Sequence, residues 1–224
     1  MRSVIKISVI IPTLNASESV LRTIKSIQSA ADEVIIVDGG STDGCAQVAR
    51  DAGAKVIQTG RGRGLQLSVG ANAAINDHML FLHADTYLGP NWRDLAINLF
   101  LRGQKAGVFK FVLEDQSFFA RSVEIFVSFR CRSFGWAWGD QGLLIDRSLY
   151  MAVGGFNPNM PLFEDVDIIR RIGKTRLEIL DEKATTSATR YLKGGYLWRS
   201  FKNFFCLISY FLGVSPARIQ RFYN

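Results

Sequence analysis

The segment "LFLHADTYLGPNW" (residues 80–92) begins as an apolar run and ends by placing His83 and Asp85 one residue apart, before a Gly-Pro turn. An imidazole can move protons, donate and accept hydrogen bonds, and ligate metals. A carboxylate supplies the oxygen ligands that hard cations prefer. This pair is therefore a candidate site, with a purely structural histidine as the alternative for His83.

Three acids, Glu164, Asp165 and Asp167, cluster in "FEDVDIIRRI" after the turn-rich loop "GGFNPNMPLF". Acidic side chains are stabilised at the start of a helix by its dipole, which is one explanation for the cluster. A long loop is also suited to presenting a reactive group over a cleft. The residues alone leave both explanations open.

Arg61 and Arg63 lie in the glycine-rich segment "TGRGRGLQ", which precedes a predicted helix. Backbone N–H groups, guanidinium groups and the helix dipole all favour anions at such a position. We expect an anion-binding role for this segment; a solvated loop is the alternative.

The elements that must position these residues alternate between strand and helix four times. The strands are predicted in "KISVIIP", "EVIIVDGG", "AKVIQT" and "HMLFLHAD", and the helices between them in "ESVLRTIKSIQSA", "CAQVARDAG" and "LQLSVGANAAIND". Near-continuous apolar strands in this alternation predict an α/β fold, with a mostly parallel sheet flanked by helices on both faces.

Every predicted strand ends in polar or glycine-rich sequence. The strand-end residues are Pro12, Thr13 and Asn15, then Asp38 in "VDGGSTDG", then Arg61 and Arg63, then His83 and Asp85. Singly, such residues are ordinary turn formers. Because open α/β sheets bind ligands at the carboxyl ends of their strands, the four ends together favour one binding site.

Several enzyme classes are disfavoured by motifs that the chain lacks. "GGSTDG" does not have the spacing of the dinucleotide fingerprint, and no Gly-Lys-Ser/Thr forms a phosphate-binding loop. Hydride transfer and nucleoside triphosphate hydrolysis are therefore disfavoured. A sugar-nucleotide-forming nucleotidyltransferase should carry a basic glycine-rich loop after the first strand, and "PTLNASES" is not that loop.

The charge of the chain is concentrated near its end. The net charge is +7, from 27 basic and 20 acidic residues, and no acid follows Glu182. The preceding body is thus neutral, which argues against nucleic acid as a partner.

Three cysteines without a Cys-x-x-Cys pair favour a reducing compartment. Lys6 interrupts the first apolar run without a cleavage site, so we expect a cytoplasmic protein.

The last segment, residues 196–224, is predicted to be a basic amphipathic helical tail. Its apolar stripe comprises Leu197, Phe201, Phe204, Phe205, Ile208, Phe211 and Leu212. The uncharged run is much shorter than the ~20 residues of a spanning helix. Peripheral contact with the inner face of a membrane explains the stripe, and so does packing on the domain or on a homodimer partner.

The ordered segments "SVIIPTLN", "EVIIVDGGSTDG", "LFLHADT", "GDQGLLI" and "FEDVDIIRRI" resemble a family 2 glycosyltransferase with the GT-A fold. The resemblance covers nearly the whole chain and is closest to a subgroup of short bacterial members. It implies a glycosyltransferase domain over residues 1–195, with a nucleotide-binding half (1–90) and an acceptor half (91–195).

The resemblance also implies roles for particular residues. Pro12, Thr13, Asn15 and Asp38 would contact the nucleotide, and Arg61 and Arg63 the diphosphate of a nucleotide-sugar donor. Asp85, with His83, would hold a divalent metal, Mn²⁺ or Mg²⁺, against that diphosphate. Ala16 stands where the family often has an acid, so one nucleotide contact is missing from the pattern.

On the acceptor side, the resemblance makes Asp165 the catalytic base. Sugar and acceptor contacts are implied for Trp136, Trp138, Asp140, Gln141 and Glu164, with core packing as the alternative for both tryptophans. One base and a metal suit inverting transfer to a hydroxyl group of a small or lipid-linked acceptor. Asp140 is the candidate for the second carboxylate that a retaining reaction needs. A catalytically silent nucleotide- or membrane-binding protein with the same fold is the alternative function.

Overall fold

The computed structural model describes residues 5–103 and 105–223. The strands are β1 (Ile7–Thr13), β2 (Glu33–Asp38), β3 (Lys55–Gln58), β4 (His78–Phe81), β5 (Thr86–Leu88), β6 (Ala106–Leu113), β7 (Leu143–Asp146) and β8 (Leu177–Thr186). The helices are α1 (Ser17–Ile27), α2 (Cys45–Asp51), α3 (Arg63–Ala73), α4 (Trp92–Leu101), α5 (Phe118–Phe134), α6 (Arg147–Ala152), α7 (Glu164–Ile172), α8 (Thr189–Gly194), α9 (Tyr196–Phe211) and α10 (Pro216–Tyr223).

These strands form an eight-stranded sheet in the order β3-β2-β1-β4-β7-β6-β8-β5. The pairs β3–β2, β2–β1, β1–β4 and β6–β8 are parallel, and the three other pairs are antiparallel. The predicted mostly parallel sheet is therefore confirmed. The first half supplies the parallel part, and β7 joins the second half to it antiparallel to β4.

Apolar clusters cover both faces of the sheet. Alternate residues of β1 point to opposite clusters: Ile10 joins one, and Val9 and Ile11 join the other. Every residue of β1 is buried, as expected for a central strand covered on both sides. Both faces being occupied leaves the strand ends as the part of the sheet that a ligand can reach.

Helices α1 and α3 illustrate how the sequence builds these layers. Val20, Ile24 and Ile27 of α1 are buried at helical spacing, whereas Leu21 is exposed. In α3, a Cβ added to Gly70 would lie 2.3 Å from Ile10 Cγ2, so a glycine lets this helix pack closely on β1. The predicted helix through Asp77 is too long, because Ala74 already has extended backbone angles.

The tail packs on the rest of the protein through one face. Cys206, Leu207 and Ile219 are buried, while Trp198 and Leu212 are largely exposed. The side chain of Leu197, part of the predicted stripe, lies outside the described residues. Within the described residues, the structure contains no helix that is both long and apolar enough to cross a membrane.

Candidate active site

The turn that carries His83 and Asp85 is fixed by backbone hydrogen bonds at the end of β4. Leu82 N donates to Ile10 O at 3.0 Å, and Thr86 N donates to His83 O at 3.2 Å. Ser187 N then donates to Asp85 O at 3.1 Å. The predicted strand "HMLFLHAD" ends at Phe81, so both side chains stand on a turn beyond the sheet.

A cavity at this edge gathers many of the predicted site residues. Its lining includes Arg63, His83, Asp85, Trp138, Asp140 and Asp165. Thus residues from α3, the β4–β5 turn, the Trp138–Asp140 segment and α7 meet around one space. We call it the central cavity.

A second cavity adjoins the first at Asp85. Its lining includes Asn15 of the β1–α1 loop, Asp43 of the β2–α2 loop and several residues of α1, among them Ser17 and Arg22. Asp85 and Ser187 line both cavities. We call this second space the loop cavity; Asp85 is the predicted metal ligand and stands at the junction of the two.

Thr13 and Asp38 are buried side by side at the ends of β1 and β2. The Asp38 carboxylate accepts hydrogen bonds from Thr13 Oγ1 at 3.1 Å, from Ser41 N at 2.9 Å and from Gly40 N at 3.2 Å. Burial by itself raises the pKa of Asp38, but a hydrogen bond from the Ser41 hydroxyl, together with the three just named, outweighs it and lowers that pKa. In this structure the carboxylate therefore orders its own loop.

Asn15 ties the first strand-end loop to the second. Its N–H donates to Ser41 Oγ at 2.8 Å, and its Oδ1 accepts from Thr42 N at 2.9 Å. Asn15 has φ 50°, a left-handed conformation that asparagine tolerates better than most residues. Pro12 is buried in β1 and lines neither cavity.

Arg63, the first residue of α3, links His83 to Glu164. Its Nη1 lies 3.2 Å from His83 Nε2, and its Nε lies 2.7 Å from Glu164 Oε1. Because a guanidinium only donates, Nε2 of His83 is the acceptor and its ring proton resides on Nδ1. In this arrangement His83 is neutral, and its Nε2 lone pair is directed at Arg63.

Glu164 is buried behind Arg63 and does not line the central cavity. The ion pair with Arg63 is short but lacks hydrogen-bond geometry, since neither Glu164 oxygen has a hydrogen-bond partner within the described chain. Burial raises the pKa of Glu164 to about 7, and Arg63 only partly opposes it. The predicted acceptor contact is thus not placed in the cavity; Glu164 positions Arg63 instead.

Asp165 does line the central cavity, and both of its oxygens are held by backbone N–H groups. Oδ2 accepts from Gly139 N at 2.6 Å, and Oδ1 accepts from Val166 N at 2.7 Å. A Cβ on Gly139 would lie 2.5 Å from His83 Nε2 and 3.0 Å from Asp165 Oδ2. A glycine at 139 therefore lets the imidazole and the carboxylate approach each other.

Asp140 is the second carboxylate of the central cavity wall near α7. Its Oδ1 is buried and has no hydrogen-bond partner within the described residues. Burial raises the pKa of Asp140 to about 6; Arg130 lowers it, and the nearby Asp165 and Asp85 raise it further. Asp140 can therefore change its protonation state close to neutral pH.

Some predicted site residues lie away from the central cavity. The Gln141 amide is buried, donating to Phe109 O at 3.0 Å and accepting from Trp138 N at 3.3 Å. Trp136 stacks between Phe134 and Phe211, with ring centroids 4.8 and 4.7 Å apart. Arg61 is exposed and lines neither cavity. Trp136 is thus half-buried in an aromatic stack beside the exposed Phe134, whereas Trp138 lines the central cavity.

The sequence reasoning missed Arg130 and the contribution of α9. Arg130 is buried in α5, 3.7 Å from the centre of the Trp138 ring, and its Nη1 donates to Trp136 O at 2.6 Å. Arg199 and Asn203 of α9 line the central cavity. Arg130 sits in an aromatic helix beside the similar Arg132, so no local pattern distinguishes it.

Unsatisfied polar atoms concentrate at this site. Among the side chains that the structure describes, the buried nitrogen and oxygen atoms without a hydrogen-bond partner belong to Arg130, Trp138, Asp140 and Glu164. Buried polar groups are nearly always paired, so a cluster of unpaired ones marks a place where a ligand or water completes the bonding.

The side chains around the cavities fit a metal ion that takes only some of its ligands from the protein. The described residues contain no group of three His, Cys, Asp or Glu side chains that could hold an ion by themselves. The Asp85 carboxylate forms no hydrogen bond or ion pair within them and lines both cavities. A hard cation on Asp85 would therefore take its remaining ligands from phosphate and water.

The fold is of the GT-A type. A similar solved structure is glucosyl-3-phosphoglycerate synthase from Mycobacterium tuberculosis in complex with Mn²⁺, UDP and glucosyl-3-phosphoglycerate. The TM-score is 0.58 at 20% identity, covering 81% of this chain and 70% of that one. The same enzyme with Mn²⁺, UDP-glucose and phosphoglyceric acid gives a TM-score of 0.59.

Residues 8–143 match the sequence model of glycosyl transferase family 2, and the chain belongs to that family. An uncharacterised glycosyltransferase of Rickettsia conorii is 40% identical over 90 residues, which are 40% of this chain and 32% of the relative. The 4,4'-diaponeurosporenoate glycosyltransferase of Staphylococcus haemolyticus is 35% identical over 92 residues, 37% and 24% of the two chains. The matches thus span about a third or less of these relatives.

Proposed function

We propose that the protein transfers a sugar from a nucleotide-sugar donor to a hydroxyl group of its acceptor, with inversion and with the help of Mn²⁺ or Mg²⁺. The observation that carries this proposal is the junction of the two cavities at Asp85. A nucleotide in the loop cavity would extend its diphosphate past Asp85 and its sugar into the central cavity. The similar synthase was solved with Mn²⁺ and UDP, which supports a metal and a nucleotide as ligands of this fold.

The residues around the junction have complementary charges for a metal-bound diphosphate. The cation on Asp85 would neutralise the departing nucleoside diphosphate, so that no proton donor is needed for the leaving group. Arg63 stands on the same cavity wall at the start of α3, where the helix dipole also favours anions. His83 accepts a hydrogen bond from Arg63. We therefore propose that His83 positions Arg63 or binds the nucleotide-sugar donor, rather than ligating the metal.

Asp165 is the proposed general base. Its carboxylate is held between Gly139 N and Val166 N on the wall of the central cavity. The acceptor hydroxyl would give its proton to Asp165 while its oxygen attacks the anomeric carbon from the face opposite the diphosphate. A single displacement of this kind inverts the anomeric centre.

A panel of UDP, GDP, ADP and CDP sugars with and without Mn²⁺ tests this function. We expect one donor to raise the melting temperature in a metal-dependent manner and to be hydrolysed slowly in the absence of acceptor. Nucleotide binding without hydrolysis or transfer would support the catalytically silent alternative. No stabilisation by any donor would contradict the proposal.

We further propose peripheral contact with the inner face of a membrane in the cytoplasm, through aromatic side chains of α5 and α9. Phe118, Phe129, Trp198 and Phe201 are each more than half exposed, and a Phe126–Phe204 contact joins the two helices. The chain beyond Glu182 is free of acids, which complements anionic lipids. In a two-fold homodimer this basic surface would face itself, so the charge favours a membrane over a second copy.

The division into a domain of residues 1–195 and a tail of residues 196–224 remains a proposal. The structure qualifies it in one respect. Arg199, Asn203 and Cys206 of α9 line the central cavity. The tail therefore contributes to the site as well as to the proposed membrane surface.

A further inference from the structure

Arg130 carries a buried guanidinium edge that the protein leaves unused. The residue is 3% exposed, and Nη1 makes its hydrogen bond to Trp136 O. Nε and Nη2 are buried and have no hydrogen-bond partner within the described residues. Buried N–H groups left without a hydrogen-bond partner are costly, so this edge is expected to be completed by a ligand.

The geometry of that edge selects an anion. Nε and Nη2 present two parallel N–H groups, which match two oxygens of one carboxylate or phosphate. Asp140 and Asp165 are close enough to act on Arg130 electrostatically. Neither fills the edge, since both nitrogens remain unpartnered among the described residues.

The space beside Arg130 is an apolar cleft between α5 and α9. Its walls include Val127 and Leu207, with Phe126 and Phe204 among its other lining residues. Trp138, Tyr191 and Asn203 line this cleft and also the central cavity. A ligand bound in the cleft is therefore next to the proposed base.

We propose that the acceptor is an amphipathic anion whose phosphate or carboxylate binds Arg130 and whose hydrocarbon chain lies between α5 and α9. This inference rests on the proposed transferase function, because it places the acceptor hydroxyl beside Asp165. It goes further by naming the substrate class and a residue that recognises it. An acceptor of this chemistry suits a protein whose cleft opens between two helices with exposed aromatic side chains.

Isothermal titration with octyl phosphate, 1-octanol and inorganic phosphate tests the cleft in the intact chain. We expect octyl phosphate to bind at least tenfold more tightly than either 1-octanol or inorganic phosphate. Each titration is repeated with UDP and Mn²⁺ at saturation, and binding of octyl phosphate should persist. Failure of UDP, GDP, ADP and CDP alike to bind would count against the proposed function while leaving the cleft result intact.

Two variants test separately the recognition of the anionic group and the binding of the hydrocarbon chain. Arg130→Met should abolish the preference for octyl phosphate over 1-octanol, whereas Val127→Trp, which fills the cleft, should weaken both. Arg132→Met, on the exposed side of the same helix, is the matched control and should behave like the parent. If Arg130→Met does not fold by circular dichroism, Arg130→Lys keeps the charge but lacks the paired N–H groups, and should lose most of the preference.

Three outcomes would overturn the inference. Equal affinity for octyl phosphate and 1-octanol would mean that Arg130 does not receive an anion. Equal affinity for octyl phosphate and inorganic phosphate would mean that the cleft does not bind a chain. Displacement of octyl phosphate by UDP would place it in the donor site.

Discussion

Asp165 and Asp140 are two carboxylates on one cavity wall with different surroundings. Asp165 accepts two backbone N–H hydrogen bonds, which fix its orientation. Asp140 has a buried oxygen without a partner among the described residues, and burial raises its pKa to about 6. The proposed single-displacement mechanism needs one base, so substitution of each aspartate distinguishes their roles.

Asp165→Asn should lower kcat by about 10²- to 10⁴-fold while leaving donor affinity nearly unchanged. The amide is close in shape to the carboxylate but cannot take the acceptor proton. Steady-state kinetics at saturating acceptor, together with titration of the donor, measure both quantities.

Asp167→Asn is the matched control for this prediction. Asp167 forms an ion pair with Arg171 and does not line the central cavity. Its variant should keep near-parental turnover. If Asp140→Asn removed turnover while Asp165→Asn did not, the base would be Asp140.

Asp85→Asn should abolish the Mn²⁺ dependence of nucleoside diphosphate binding and leave the fold intact. An amide oxygen is a weaker ligand for a hard cation than a carboxylate. Titration of UDP in Mn²⁺ and in EDTA measures the effect, with circular dichroism as the check on folding. Equal stimulation by Mn²⁺ in the variant and the parent would show that Asp85 does not bind the metal.

Helix α9 serves two surfaces at once. Its cavity-facing side carries Arg199, Asn203 and Cys206, and its outer side exposes Trp198 and Phe201. Deleting the tail would therefore remove part of the cavity wall together with the aromatic surface. Point substitutions at exposed positions test membrane contact without that complication.

The double variant Phe129→Ser, Phe201→Ser should bind anionic vesicles at least tenfold more weakly than the parent. Both rings are 59% exposed, one on α5 and one on α9. Burying one such ring is worth about 1.5–3 kcal/mol, so loss of two gives an effect of this size or larger. Co-sedimentation with phosphatidylglycerol vesicles at low salt provides the measurement.

Ile75→Ser is the control for the vesicle experiment. Ile75 is 77% exposed but lies on the loop between α3 and β4 and belongs to neither α5 nor α9. Its substitution should not change vesicle binding. If the parent chain ignores anionic vesicles, or if the double variant sediments like the parent, the aromatic surface is not a membrane contact.

Over the whole molecule, the buried acids of the site make stability depend on pH. The folded-state pKa values of Glu164 and Asp140, about 7 and about 6, lie above their ordinary values. Their stabilising contribution is therefore fully present at low pH, below the unfolded pKa values, and is lost as the pH rises through about 6 to 7. We expect the free energy of unfolding to rise from pH 8 to pH 5.5, by at most about 1.4 kcal/mol per pH unit for each group.

Glu164→Gln should reduce this dependence, because the amide does not titrate. Urea unfolding at pH 8, 7, 6 and 5.5 measures the slope for the parent and the variant. Glu178→Gln, which alters a surface ion pair with Arg102, should leave the slope unchanged. A slope that is the same in all three proteins would show that Glu164 is charged throughout this range.

The sequence by itself determined the alternation of strands and helices and the edge of the sheet that carries the site. Hydrophobic periodicity is local, so "KISVIIP" and "EVIIVDGG" predict β1 and β2 from neighbouring residues alone. The strand-end rule predicted one site at four strand ends; in the structure His83, Asp85 and Arg63 line one cavity, whereas Thr13, Asp38 and Arg61 do not line it.

Only the tertiary structure decided which polar residues face the central cavity and which are used elsewhere. Arg63 pairs with Glu164 across two halves of the chain, and Gln141 turns its amide into the core. Arg130 is a candidate binding residue only because Trp138 stacks on it and because its Nε–Nη2 edge has no hydrogen-bond partner among the described residues. Residue types and spacing do not encode such outcomes, because burial and hydrogen-bond partners depend on segments that are distant in sequence and meet only after folding.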